Sequence, residues 1–194
     1  YDSSSTILSD ANWIQKSKFG TFKDKDGKDI TVELGKIYYI DYGKTFYGEL
    51  AYFHYGLCIG KRDGKILIVP MTSSKEHFYE SYHPIQNPKG NKKNRQALSS
   101  EGFSKDCILK INDTKYISAG RIEKETVKIS NELLEEIQKQ VFQVQFPNLF
   151  TKHLSHQKTI QKNERLILEQ KEEIIRLKQE NNRLNQILKN HEKH

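Results

Sequence analysis

An imidazole, a run of hydroxyls and an ammonium could come together in this chain: His54, then Thr72-Ser73-Ser74-Lys75, with His77 close behind. Between them lies Arg62-Asp63-Gly64-Lys65, and Asp-Gly flanked by apolar runs is a strong short-range hairpin signal. With Asp63-Gly64 as a two-residue turn, Arg62 faces Lys65. The same register puts Tyr55 opposite Thr72 and His54 opposite Ser73. Directly opposed residues have Cβ atoms roughly 5 Å apart on one face. A single bulge would shift this register and send His54 to the other face.

Such a set suits cleavage of an RNA phosphodiester without a metal. The ribose 2′-hydroxyl is its own nucleophile. The protein must take its proton, steady the charge on the phosphate oxygens and protonate the departing 5′-oxygen. His54 can exchange protons near neutral pH. Lys75, with donors at Thr72 and Ser73, can hold the phosphate. The competing reading is structural: His54 as a polar strand residue, and Thr72-Ser73 as a strand exit after Pro70. No Gly-rich phosphate loop, His-x-x-x-His zinc pair or Gly-x-Ser-x-Gly elbow is present.

The elements that must position these residues are mostly strands. Lys36 to Ile40 is β-branched and aromatic and is stopped by Gly43. Tyr52 to Ile59 and Lys65 to Val69 form the hairpin. Cys107 to Ile111 and Tyr116 to Ala119 read as two more short strands. Residues 84–106 hold Pro84, Pro88, Gly90 and Gly102 with Lys89, Lys92, Lys93 and Arg95, which reads as a long basic loop. Ser130 is a good N-cap for a helix over residues 130–146, with Leu133, Leu134, Ile137, Val141 and Val144 on one face, broken by Pro147. Residues 1–30 read as an extension. Within it, Asp24 to Asp29 has its Gly at the fourth position, whereas an EF-hand loop needs Gly at the sixth, so a surface turn is expected.

Residues 148–194 read as a coiled coil. Ile160, Ile167, Ile174, Asn181 and Leu188 occupy position a, and Asn163, Gln170, Leu177, Leu184 and His191 occupy position d. Ile at a with Leu at d favours two parallel strands, and a buried Asn at a sets register. Glu173 at g would face Lys178 at e of a parallel partner. Polar Asn163 and Gln170 weaken the first two heptads. The alternative is a long helix folded back on its own domain.

The 194 residues leave room for one domain plus an appendage. Ten Tyr and nine Phe suffice for a core despite 29% charged residues. The longest apolar run, Ile66 to Val69, is too short to span a bilayer. Two cysteines, Cys58 and Cys107, exclude a disulfide scaffold and an all-cysteine metal site. With no charged-then-apolar pattern at the N-terminus, reduced thiols and a cytoplasmic location are expected. The net charge of +7 suggests a polyanionic partner, although many solvated surfaces carry as much.

Several segments then resemble one family in order and spacing. Gly35-Lys36-Ile37-Tyr38-Tyr39-Ile40-Asp41-Tyr42-Gly43 resembles the opening of the PemK/MazF toxin family, and Gly48-Glu49 falls where that family's loop has Gly and Glu. Ile66 to Ser73 is similar to its apolar strand ending in Pro-x-Thr-Ser. Ile117 to Ile122 resembles its late strand, and residues 130–146 its last helix. Pro70 to Lys75 is also like the ToxN/AbiQ relatives, which keep a Lys after Thr-Ser. The likeness covers about residues 31–146. It implies an α+β, mainly β fold, an SH3-like small barrel, usually dimeric. It implies a metal-independent endoribonuclease without cofactor that cuts single-stranded RNA to a 2′,3′-cyclic phosphate and is restrained by an antitoxin, protein or RNA. The family's catalytic Thr falls on Thr72, beside Ser73, and the ToxN-like Lys on Lys75. The family's catalytic Arg, in Arg-Pro-x, is replaced in His54-Tyr55-Gly56. Candidate catalytic residues are therefore His54, Thr72, Ser73 and Lys75, with Lys89, Lys92, Lys93, Arg95 and Arg121 as candidate RNA contacts. A homodimer is expected through the barrel, through residues 160–191, or both. The competing function is a catalytically silent module that binds RNA or protein and is dimerised by its tail.

Overall fold

The computed structural model describes residues 31–44, 49–63 and 65–191, the last five by backbone alone. The extension and its Asp24–Asp29 turn lie outside the described residues, as do Gly48 and Gly64. Eight strands are followed by two helices: β1 (Lys36–Asp41), β2 (Phe53–Arg62), β3 (Lys65–Thr72), β4 (Ser81–Tyr82), β5 (Asn91–Ala97), β6 (Cys107–Leu109), β7 (Lys115–Ser118), β8 (Ile122–Lys128), α1 (Asn131–Gln145) and α2 (Pro147–His191). The chain divides into two compact units between Gln145 and Phe146.

Alternation along the central strands buries both faces of the sheet. One face sets Ile37, Leu57, Ile59, Val69 and Leu109 against Leu133, Leu134, Ile137 and Val141 of α1. The other collects Tyr38, Ile40, Tyr42, Cys58, Ile66, Ile68 and Ile117. Burying one such aliphatic side chain is worth about 1.5–3 kcal/mol. Helix propensities differ by less than about 0.7 kcal/mol per ordinary residue. Packing therefore holds α1 in place, and its start is set by Ser130, whose Oγ accepts from the Leu133 N–H at 3.2 Å. Pro147 separates the helices by opening α2, where its missing N–H costs nothing.

The fold is α+β and mainly β, but the sheet does not close into the expected SH3-like barrel. Its order is β4-β5-β6-β3-β2-β1-β8, with β7 also on β3. The reason lies in β3, which is shared. Lys65–Ile68 pair with β7, whereas Met71 and Thr72 pair with β6. The sheet thus branches, and among the described residues no ladder joins β8 to β4 or to β7.

Residues 84–106 are not one loop either. Asn91–Ala97 form β5, pairing with β6 through Arg95–Leu109, Gln96–Ile108 and Ala97–Cys107. Arg95 is completely buried. Its guanidinium donates to Glu136 of α1 at 2.8 Å and to Glu101 at 3.0 Å. A segment of poor strand propensity becomes a strand because tertiary pairing supplies both the ladder and the counter-charges.

Candidate active site

The hairpin begins as the turn predicts, with Arg62–Lys65, Lys61–Ile66 and Gly60–Leu67 paired. A bulge then inserts Ile59, and the register resumes one residue off with Cys58–Ile68, Leu57–Val69 and Gly56–Pro70. The extra residue is accommodated because Ile59 points into the α1 core. This corrects the pairing of His54 with Ser73. The β2–β3 ladder ends there, so His54 pairs with Ile40 of β1 and with no residue of β3, while Thr72 pairs with Ile108 of β6. By alternation His54 and Thr72 each lie on the face of Cys58 and Ile68, away from α1.

On that face His54 is half-buried, its ring edge-on to Tyr42 at 6.5 Å between centroids. Burial holds its pKa below the ordinary 6.5, and the positive charge of Lys110 pushes the same way. At pH 7 the imidazole is neutral and can accept a proton. Lys110 follows β6 directly and is placed by its own backbone N–H, which donates to the Pro70 carbonyl at 2.8 Å. Its ammonium lies 3.3 Å from Asp113.

Tyr42 organises the neighbourhood. Its hydroxyl is buried without a hydrogen-bond partner, and desolvation drives its pKa far upward. A Cβ on Gly56 would stand 2.5 Å from that oxygen and 2.4 Å from Ile68 Cγ2, so only glycine fits there. The Lys115 ammonium lies 5.5 Å over the Tyr42 ring and 3.4 Å from Glu49. Arg121 donates to the Tyr42 carbonyl at 2.8 Å. Lys115 and Arg121 thus bring two cations to one buried ring, against which the neutral His54 also sits.

The hydroxyl run and Lys75 sit on the exit from β3. Thr72 Oγ1 accepts from the Ser74 N–H at 3.2 Å, and Ser74 Oγ accepts from the Glu76 N–H at 3.3 Å. Ser73 and Lys75 are exposed. Among the described residues no hydrogen bond or ion pair joins Lys75 to His54. His77 is drawn off toward acids, 3.0 Å from Glu80 and 3.5 Å from Glu76. The segment is anchored from β5, where Gln96 Nε2 donates to the Phe78 carbonyl at 2.8 Å.

Of the proposed RNA contacts, Lys89, Lys92 and Lys93 are exposed. The Lys92 ammonium lies 5.5 Å over the Tyr82 ring. Arg95 is not on the surface and holds α1 to the sheet instead. Sequence reasoning passed over Lys110 and Lys115. Lys110 follows β6 and Lys115 opens β7, but nothing in the local pattern says which face a lysine at a strand end will reach. Among the described residues no group of three or more His, Cys, Asp or Glu is placed to hold a metal ion, and no helix is long and apolar enough to cross a membrane.

No family model matches this chain, and no curated protein does. Among solved structures it is similar to one described as an endoribonuclease in complex with its cognate antitoxin from Mycobacterial species. Identity is 9% and the TM-score 0.42, over 59% of this chain and 94% of that one.

Proposed function

We propose that this chain is the toxin of a bacterial toxin–antitoxin system, a metal-independent cytoplasmic endoribonuclease acting on single-stranded RNA. The supporting observation is a neutral, half-buried His54, its pKa lowered by burial and by the charge of Lys110, on the face to which Thr72 also alternates. His54 takes the 2′-hydroxyl proton. O2′ bonds to phosphorus, the P–O5′ bond breaks, and the 5′-oxygen leaves with a proton from the imidazolium or from water. The product is a 2′,3′-cyclic phosphate. Thr72 and Ser73 offer donors to the phosphate, and Lys75 and Lys110 offer charge, replacing a permanently charged arginine by a titrating group and separate ammoniums. Lys89, Lys92, Lys93 and Arg121 extend the cationic track for the rest of the strand.

The exposed Ile160, Ile167, Ile174, Leu177 and Leu184 on α2 support a parallel homodimer through residues 160–191. The sheet domain is the second surface through which copies, or an antitoxin, would associate. The competing reading is a silent binding module, favoured by the absence, among the described residues, of a hydrogen bond or ion pair between Lys75 and His54.

The deciding experiment incubates the protein with single-stranded RNA in EDTA and identifies the products by 31P NMR. A 2′,3′-cyclic phosphate, and resistance of an RNA carrying 2′-deoxy at the cut site, support the ribonuclease. Binding without cleavage supports the module. If His54→Arg then creates cleavage, the histidine marks an inactivation.

A further inference from the structure

The other face of β2, opposite His54, carries a row of aromatic rings. Tyr39 pairs directly with Tyr55, their rings 5.0 Å apart and tilted by 50°. Phe53 stacks on Tyr39 at 5.6 Å and 20°. Ile37 and Leu57 lie on the same face of the same two strands but are buried with Leu133, Leu134 and Ile137. The row continues past that cover, with Phe53 48% and Tyr55 39% exposed.

One neighbour, Lys124, indicates what such a row would hold. The exposed Lys124 of β8 pairs with Tyr39 and so stands on the same face. Asp41, paired with Phe53, has a carboxylate oxygen occupied by the Gly43 N–H at 2.8 Å. Rings beside a cation suit nucleobases with their phosphates, since every base has a face to stack and carries a negative charge next to it. The β2–β3 ladder also ends at Gly56–Pro70, so among the described residues Phe53–Tyr55 pair on one side alone. A single strand can pass round that free edge, its scissile phosphate at His54 and its neighbouring bases on the rings.

We propose that Phe53, Tyr39 and Tyr55 form a base-stacking subsite for single-stranded RNA, a reading that rests on the ribonuclease assignment above. The test uses the full chain and a short fluorescein-labelled oligonucleotide, 2′-O-methylated throughout so that it cannot be cut, followed by fluorescence anisotropy. The double change Phe53→Leu with Tyr55→Leu keeps apolar area and removes the rings. It should weaken binding roughly tenfold or more, whereas Phe53→Trp with Tyr55→Trp should bind as tightly as wild type. The salt dependence should be unchanged, because no phosphate contact is lost. On cleavable RNA the leucine variant should raise KM and leave kcat alone. Equal binding by wild type, leucine and tryptophan variants would overturn the subsite, as would a wild type that binds no oligonucleotide. A leucine variant whose sedimentation changes in parallel would also overturn it, because the rings would then hold a second copy. If wild type cuts RNA and the leucine variant binds and cuts equally well, the subsite alone fails. If wild type binds through the rings but never cuts, the ribonuclease reading fails and the subsite stands.

Discussion

His54 differs from an arginine in its place by being able to lose its proton. Because burial and then Lys110 lower its pKa, the limb of the pH–rate profile that it controls should lie below 6.5, with activity rising through it and level above. His54→Ala should cost roughly 100-fold or more and abolish that limb. Lys110→Met should move the limb upward but short of 6.5, since burial, the larger cause, remains; NMR titration of the ring protons reads the same shift. The stability consequence has the same sign. Below 6.5 the unfolded chain holds this proton more readily than the native protein does. The contribution is therefore present above 6.5 and is lost as pH falls through the lower native value. Thr72→Ala should lose about 2–4 kcal/mol of transition-state stabilisation if its hydroxyl acts as an oxyanion-hole donor. Lys75→Ala should instead weaken RNA binding and flatten its salt dependence.

At the level of elements, the bulge at Ile59 and the close contact at Gly56 decide which side chains share a face. Gly56→Ala must push against Ile68 and the Tyr42 hydroxyl, a strain of about 1–3 kcal/mol, measurable as a lower urea midpoint. Tyr42→Phe removes a buried hydroxyl that has no partner and should be neutral or stabilising by about 1 kcal/mol or more. Arg95 joins β5, α1 and the Ser99–Glu101 turn through two carboxylates. Arg95→Ala would leave Glu101 without its guanidinium partner and should cost about 3–5 kcal/mol, less the share that half-exposed Glu136 recovers from water. A fall in thermal midpoint with RNA affinity preserved per folded molecule would separate this role from a surface RNA contact.

For the molecule as a whole, α2 runs unbroken from Pro147 to His191 with Ile160, Ile167, Ile174, Leu177 and Leu184 of its a and d positions exposed. Its charges pair along the helix, Arg176 with Glu173 and Arg165 with Glu169, so Glu173 must give up an intrahelical partner to meet Lys178 of another chain. Such exposed pairs are worth only about 0.2–1 kcal/mol and do not oppose association. Truncation after Gln145 should reduce the sedimentation coefficient to that of a monomer, or leave a dimer held by the sheet alone. Asn181→Leu should stabilise the assembly and loosen its choice of two strands, visible as higher oligomers.

Local chemistry was enough to read the Arg62–Lys65 hairpin pairing, the strands around it, the Ser130 cap and the long helix, because each depends on neighbours within a few residues. The candidate site needed more. Whether the hairpin register could carry His54 to Ser73 turns on one inserted residue, Ile59, held by α1 more than seventy positions later. Arg95 reads as a loop cation until Glu101 and Glu136 arrive from elsewhere to neutralise it. Lys110 and Lys115 gain meaning only where β6 and β7 both abut β3. The branching that keeps the sheet open is likewise a choice of partner by β3, and strand pairing is set by contacts distant in sequence. Side-chain periodicity tells a strand that it has two faces; only the packed molecule tells it what lies on each.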